Sequence, residues 1–171
     1  MKRHLVSVLV EDHPRVLTRI TSMFARRGFN IDSLAVGRTH LPGVSRISFV
    51  VYGDDRTIEQ VEKQLNRLIE VLKVVDHDGP RLERELALVK VRVEGIEERL
   101  ELKEIAEAFR ARIVDVARSA LTFEVSGHPA KIDRFIEELT HYGVLETMRT
   151  GALGMDRGER VLKLRARKEA I

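Results

Sequence analysis

The sequence has no cysteine and no tryptophan, only four prolines, and few aromatic residues, which make up 5% of its 171 residues. The lack of cysteine excludes disulfides, thiolate nucleophiles and cysteine-ligated zinc. No segment approaches the run of roughly 20 apolar residues that a membrane-spanning helix needs. These absences make the cytoplasm the expected compartment.

Motifs of catalytic and metal sites are also missing. The six histidines show no H-x-x-x-H or H-E-x-x-H spacing, so no metal site is predicted. There is no G-x-S-x-G, no G-x-G-x-x-G after a strand and no P-loop lysine signature. Carboxylates such as Glu59 and Glu137 lie on predicted helix faces, which is typical of a solvated surface. We therefore predict no catalytic residues and no cofactor in this chain, and interpret it as a binding protein.

The most informative stretch begins with residues 4–10, a short apolar run that predicts a buried strand. A helix is predicted to follow, with Pro14 at its first position and Asp12 or His13 as the capping residue. Its apolar stripe recurs at spacings of three and four: Val16, Leu17, Ile20, Met23 and Phe24. The start of this helix would point out of the end of a buried strand, where unpaired N–H groups form a seat for a carboxylate.

The same order of elements occurs twice along the chain. The first half continues with strands over 31–37, 45–52 and 71–76 and an apolar helix stripe from Ile58 to Leu72. The second half repeats it with strands over 86–93, 113–117, 121–125 and 144–148 and helix stripes over 102–109 and 132–139. A repeated β-α-β-β-α-β order predicts an α+β chain of two tandem ferredoxin-like domains.

The predicted domains are residues 1–77 and 81–158, joined through a Gly-Pro linker and followed by a basic tail over 159–171. Each domain would pack both helices on one face of a four-stranded sheet. The other sheet face and the strand edges then need cover, for which we expect self-association.

Several runs resemble, in order, the small regulatory subunit of acetohydroxyacid (acetolactate) synthase. They are LVSVLVEDHPRVLTRITSMFARRGFNIDSLAVG, SRISFVV, VEKQLNRLIEVLKVVD, RELALVKV, FRARIVDV and RTG. The most specific of them are RRGFNIDSL and FRARIVDV, and the resemblance extends to about residue 158. It identifies the first domain as an ACT domain, a small module that binds amino acids at the turn after its first strand.

The resemblance implies a function without chemistry of its own. Such a chain binds the thiamine-diphosphate-dependent catalytic large subunit, raises its activity and makes it sensitive to valine, within branched-chain amino acid biosynthesis. Thiamine diphosphate, Mg and FAD would then belong to the catalytic partner. The ACT domains are expected to form a homodimer, with no nucleic acid or membrane as partner.

The resemblance also implies an effector site shared by two copies. One copy supplies the turn into the first helix and the other supplies the residues after that helix. The site residues expected from this are Asp12, His13, Pro14, Arg15, Val16 and Leu17 of one copy with Asn30 and Ile31 of the other. The helix N–H groups would take the effector carboxylate, and the apolar members would enclose a branched side chain.

Two positions depart from the family pattern, which usually has Asn at position 12 and Gly at position 15. Glycine lets backbone and ligand approach closely, whereas Arg15 carries a long side chain. Asparagine both donates and accepts, whereas an ionised Asp12 only accepts. Two alternatives follow. Either Asp12 meets the effector ammonium and Arg15 its carboxylate, or the site is blocked and the valine response is weak or absent.

A second class of function stays open from the sequence. Paired ferredoxin-like domains with a basic tail also suit a ligand-sensing regulator associated with nucleic acid. Against it, no helix-turn-helix, ribbon arm or set of stacking aromatic residues is recognisable.

Overall fold

The structure, a computed structural model, describes residues 2–164 and divides into two compact units. The first unit contains the described residues up to Leu82 together with those from Ala152 onward, and the second unit is Glu83–Gly151. Of the predicted basic tail, residues 159–164 have no regular secondary structure, and 165–171 lie outside the described residues. No helix within residues 2–164 is long and apolar enough to cross a membrane.

The first unit has the predicted β-α-β-β-α-β order. Its elements are β1 (Lys2–Glu11), α1 (Val16–Arg27), β2 (Ile31–Arg38), β3 (Val44–Gly53), α2 (Asp55–Leu65) and β4 (Val71–Asp76). The sheet is antiparallel with the strand order β2-β3-β1-β4, so that β2 and β4 lie at its edges. Helix α2 ends at Leu65 rather than continuing to Leu72 as predicted, because the chain turns over residues 66–70 to enter β4.

The second unit repeats the order. Its elements are β5 (Arg81–Arg92), α3 (Ile96–Ala108), β6 (Arg112–Val116), β7 (Ala120–Gly127), α4 (Pro129–Leu139), a short 3₁₀ turn (Thr140–Tyr142) and β8 (Val144–Arg149). Its strands follow the order β6-β7-β5-β8. The predicted α+β fold of two ferredoxin-like units is therefore confirmed. One further strand, β9 (Leu153–Asp156), was not predicted.

Both units build their cores between one sheet face and two helices. In β1 the alternating residues Val6, Val8 and Val10 pack against side chains of α1 and α2. In β5 the corresponding residues are Ala87, Val89 and Val91, and the intervening Leu88 is 39% exposed. All of residues 4–10 are buried, however, so β1 must be covered on its other face as well.

The segment that covers this other face is β9, which belongs to the first unit. Ala152 forms a buried apolar cluster with Leu5 of β1 and Val50 of β3. The Ser48 hydroxyl donates to the Ala152 carbonyl at 2.8 Å, and Arg46 Nη2 donates to the Gly154 carbonyl at 2.6 Å. The compact units thus differ from the predicted domains, because residues 152–164 belong to the first unit. This part of the sheet is covered by the chain itself and not by a second copy.

Strand β9 packs closely on β1 because Gly154 has no side chain. A Cβ atom at Gly154 would lie 2.4 Å from Leu5 Cδ2 and 2.9 Å from Leu5 Cγ, in a core where Leu5 has no exposed surface. We expect Gly154→Ala to lower the free energy of unfolding by about 1–3 kcal/mol, because either β9 or Leu5 must move. Urea unfolding of the full chain, followed by circular dichroism, measures this change.

The matched control is Gly79→Ala, where an added Cβ would meet only Arg160 Nη1, at the ordinary contact distance of 3.5 Å. This substitution should change the free energy of unfolding by no more than about 0.5 kcal/mol. Equal unfolding midpoints for the two variants would show that β9 does not pack tightly on β1.

Candidate functional site

The corner between β1 and α1 is built around a left-handed residue. Arg15 has φ 77° and ψ −10°, and it is the residue that immediately precedes α1. The prediction that Pro14 starts the helix, with Asp12 or His13 as its cap, is wrong. The backbone is not helical at Arg15, so the helix starts at Val16, two residues later than predicted. No side chain caps it. The left-handed conformation is one that glycine, the residue expected here from the resemblance, adopts without steric cost.

The predicted apolar residues of the corner divide between core and surface. Val16 is 5% exposed and packs in the core of the first unit, so its side chain is not available to line an open site. Leu17 is 41% exposed. Of this predicted pair, only Leu17 presents an apolar surface next to the start of α1.

Asp12 is held by two neighbours. Its backbone N–H donates to the Gly43 carbonyl at 2.8 Å. Its carboxylate lies 3.0 Å from Nε of Arg38, at the end of β2. Asp12 therefore already has a cationic partner in its own chain and no part in capping α1.

An open groove of about 540 Å³ lies at this corner. It is lined by His13, Pro14 and Arg15, which were predicted, and by Arg19 and Glu70, which were not. The Arg15 guanidinium has no ion-pair partner among residues 2–164, so it is available to an anion in the groove. The groove thus carries cationic groups from the corner and from α1, and one carboxylate from a different part of the chain.

Glu70 comes from the turn between α2 and β4, and two contacts fix it. Its backbone carbonyl accepts from the Glu11 N–H at 2.9 Å, and its Oε1 accepts from Arg19 Nη1. Glu70 is 7% exposed. The Glu70 backbone N–H and the Arg19 guanidinium hold the pKa of its carboxyl below the ordinary value, so that it is ionised near neutral pH.

His13 lies at the groove with both ring nitrogens next to acceptors. Nδ1 is 3.3 Å from the Pro14 carbonyl and Nε2 is 3.1 Å from Oε2 of Glu11. Because only the protonated ring can donate from both nitrogens, these contacts favour the charged form. The carbonyl of Pro14 and, next, the carboxylate of Glu11 raise the pKa of His13 above 6.5.

The two remaining predicted residues lie at the other end of α1. Asn30 is exposed, and Ile31 is half-buried at the first position of β2. The 12 residues of α1 span about 18 Å, so these residues are far from the groove of the same chain. Within one chain, therefore, the structure brings together His13, Pro14 and Arg15 but not Asn30 and Ile31.

A second polar cluster lies beneath β9 and has the order serine, histidine, aspartate. His77 Nδ1 is 2.6 Å from Asp156 Oδ1, and His77 Nε2 is 2.8 Å from the Ser7 hydroxyl. Ser7 is completely buried, and its oxygen also accepts from Arg46 Nη2 at 2.9 Å. A substrate has no access to this hydroxyl, so the cluster serves to fasten β9 to the sheet. Within residues 2–164, no three His, Asp or Glu side chains come together as metal ligands would.

Two family models match the chain. Residues 6–73 match the model described as "AHAS small subunit-like ACT domain". Residues 84–158 match the model described as "Small subunit of acetolactate synthase". Together the two models extend over most of both units.

Relatives of similar length match along nearly the whole chain. A "Probable acetolactate synthase small subunit" of Methanothermobacter thermautotrophicus is 46% identical over 160 residues, which covers 93% of this chain and 95% of the relative. The acetolactate synthase small subunit of Mycolicibacterium smegmatis is 45% identical over 158 residues, 92% of each chain. The crystal structure of the acetolactate synthase small subunit from Thermotoga maritima superposes with a TM-score of 0.87 at 43% identity, covering 94% of this chain and 100% of that one.

The left-handed backbone at Arg15 predicts that glycine at this position stabilises the chain. An L-residue with a side chain pays about 1–2 kcal/mol in this conformation, and the greater unfolded-state entropy of glycine offsets part of it. We expect Arg15→Gly to raise the free energy of unfolding by about 0.5–1 kcal/mol. The control, Arg26→Gly in the right-handed last turn of α1, should lower it by up to about 1 kcal/mol. Urea unfolding measures both changes. An equal loss of unfolding free energy in the two variants would contradict the left-handed conformation of Arg15.

The contacts of His13 predict how its ring titrates. Its ring should titrate above pH 6.5 by NMR, and Glu11→Gln should bring the midpoint part of the way back, because the Pro14 contact remains. The stabilisation from these contacts is complete below pH 6.5 and is lost as pH rises through the raised pKa. The ring signals of His141, in the second unit, serve as an internal reference. An unchanged His13 midpoint in the variant would mean that Glu11 contributes nothing.

Proposed function

This chain belongs to the acetolactate synthase small-subunit family, and on that premise we propose that it activates the catalytic large subunit and confers feedback inhibition by valine. The resemblance found in its sequence motifs is confirmed. The single observation that supports an effector role is the groove at the β1–α1 corner, where a helix start, two arginines and a buried carboxylate meet. Those charges suit a small zwitterion better than a neutral metabolite or a simple anion.

The effector orientation follows from the placement of charge. An α-amino acid carboxylate would lie at the start of α1, where unpaired N–H groups and the Arg15 guanidinium favour an anion. The branched side chain then extends towards the exposed Leu17. Of the two alternatives left by the sequence, this arrangement favours a functional site over a blocked one, since Arg15 lines the groove without closing it.

A homodimer formed through β2 would complete the site. Within the described residues β2 pairs only with β3, and its other edge carries Val36, which is 50% exposed. An antiparallel contact between two copies, centred on β2, places Ile31 of one copy opposite Arg38 of the other. Arg38 is paired with Asp12, so residues 30 and 31 of the second copy come next to the corner of the first. This geometry supports a site built from two chains.

In this proposal the catalytic large subunit carries out the reaction. The large subunit would hold thiamine diphosphate, Mg and FAD and would form acetolactate from pyruvate, while this chain contributes no cofactor. Its own role is then to bind the large subunit and to change its activity according to the occupancy of the groove.

Reconstitution with the cognate large subunit tests the proposal. We expect acetolactate formation from pyruvate to rise when this chain is added and to fall again when valine is added, with leucine and isoleucine measured in parallel. The control is the large subunit alone, which should not show the same response to valine. A large subunit whose rate is unaffected by this chain would contradict activation, and activation without any response to a branched-chain amino acid would contradict the sensing role.

A further inference from the structure

The two carboxylate oxygens of Glu70 have different surroundings. Oε1 accepts from Arg19 Nη1, as described above. Oε2 is buried and has no hydrogen-bond partner within residues 2–164. The Glu70 backbone N–H, which helps to lower the pKa of the carboxyl, is not in hydrogen-bonding geometry with this oxygen. A buried carboxylate oxygen without a donor is costly, and native proteins rarely leave one in that state.

The position of Glu70 indicates what the missing donor is. The residue lines the same groove as His13, Arg15 and Arg19, at the start of α1. A cationic donor entering this groove would complete the hydrogen bonding of Oε2 and add a charge-assisted bond. An ammonium group meets both requirements because it carries three donors and a positive charge.

Asp12, the acceptor expected from the sequence, is less suited to this role. Its carboxylate already lies 3.0 Å from Nε of Arg38, and its side chain is 35% exposed. A bond from a ligand to Asp12 would compete with Arg38 and with water, and is correspondingly weak. Glu70, by contrast, is more than nine-tenths buried and has one oxygen without a donor.

We infer that Glu70 accepts the ammonium group of the α-amino acid effector through Oε2, while Arg15 and the start of α1 receive its carboxylate. This inference rests on the proposed function, because it identifies the specificity-determining residue of the same groove. Arg19 acts as a positioning residue, since its bond to Oε1 holds the Glu70 carboxylate beside the groove that both residues line. The site therefore selects α-amino acids and rejects the corresponding keto and des-amino acids, which bring a negative charge and no donor.

Calorimetric titration of the full chain separates these ligands. The wild type should bind valine, whereas isovalerate, 2-oxoisovalerate and pyruvate should give no measurable heat at the same concentrations. Glu70→Gln keeps the shape of the side chain and an acceptor for Arg19 but removes the charge. It should weaken valine binding roughly 10- to 100-fold, the range for losing a hydrogen bond to a charged group.

Two further variants make the test specific. Glu59→Gln also removes a paired carboxylate, one 2.5 Å from Lys63 Nζ on the exposed face of α2, and should bind valine as the wild type does. Asp12→Asn should stay within about twofold of the wild type, because exposed ion pairs contribute little. Circular dichroism and the oligomeric state of each variant show whether it is folded.

The possible outcomes distinguish the role of Glu70 from valine sensing and from activation. Wild-type affinity in Glu70→Gln would overturn the inference and leave valine sensing intact, with Oε2 then simply hydrated. A large loss in Asp12→Asn would also overturn it, whether or not Glu70→Gln folds, because the ammonium would then lie on Asp12. If the wild type activates the large subunit yet binds no branched-chain amino acid, both the inference and the sensing role fail, but activation stands.

Discussion

The first unit depends on burial of the outer face of its sheet, because α1 and α2 protect only the inner face. Leu5 and Val50 lie on that outer face and have no exposed surface. The chain covers them with β9 and the residue before it, and the small residues Gly154 and Ala152 allow this backbone to approach closely. A larger side chain at either position would hold the strand away from the sheet. The first unit is consequently not a continuous segment of sequence, since it contains residues from before and after the second unit.

Polar groups hold the same contact in place. Ser48 and Arg46 of β3 donate to carbonyls of the β9 segment, and His77 links Asp156 to Ser7 of β1. These bonds satisfy groups that would otherwise be buried without partners. A serine-histidine-aspartate order of this kind is often associated with hydrolysis, but here the serine is enclosed and serves a structural purpose. Accessibility, and not the order of hydrogen bonds, distinguishes the two uses.

Much of the fold could be predicted from the sequence because periodicity reports burial directly. The alternation in β5 and the spacings of three and four in the helices arise because one face of each element is buried against a core. The apolar run of residues 4–10 predicted a buried strand, yet nothing in it identified the segment that covers its second face. That segment is short and rich in small residues, so β9 has no periodic pattern of its own.

The candidate site could be predicted only where its residues are consecutive. His13, Pro14 and Arg15 line the groove. The predicted cap of α1 was wrong, because Arg15 is left-handed and the helix begins at Val16. Val16 lies on the predicted apolar stripe and packs in the core, so it does not line the groove. Glu70 lies 55 positions beyond Arg15 and looked like one more surface acid. Its burial and its bond to Arg19 depend on the turn after α2, which no local pattern encodes.

The charges of the groove suit a sensor attached to an enzyme of keto-acid chemistry. Such a sensor is surrounded by carboxylates that lack an ammonium group, and a purely cationic seat at a helix start would bind all of them. In the role proposed for it, the buried carboxylate of Glu70 would prevent this, because an anion without a donor would be repelled and would leave Oε2 unpaired. Discrimination against a ligand that lacks the required donor is stronger than discrimination by size. One acid placed among arginines can thus convert a general anion site into one that responds to the amino acid and not to its precursors.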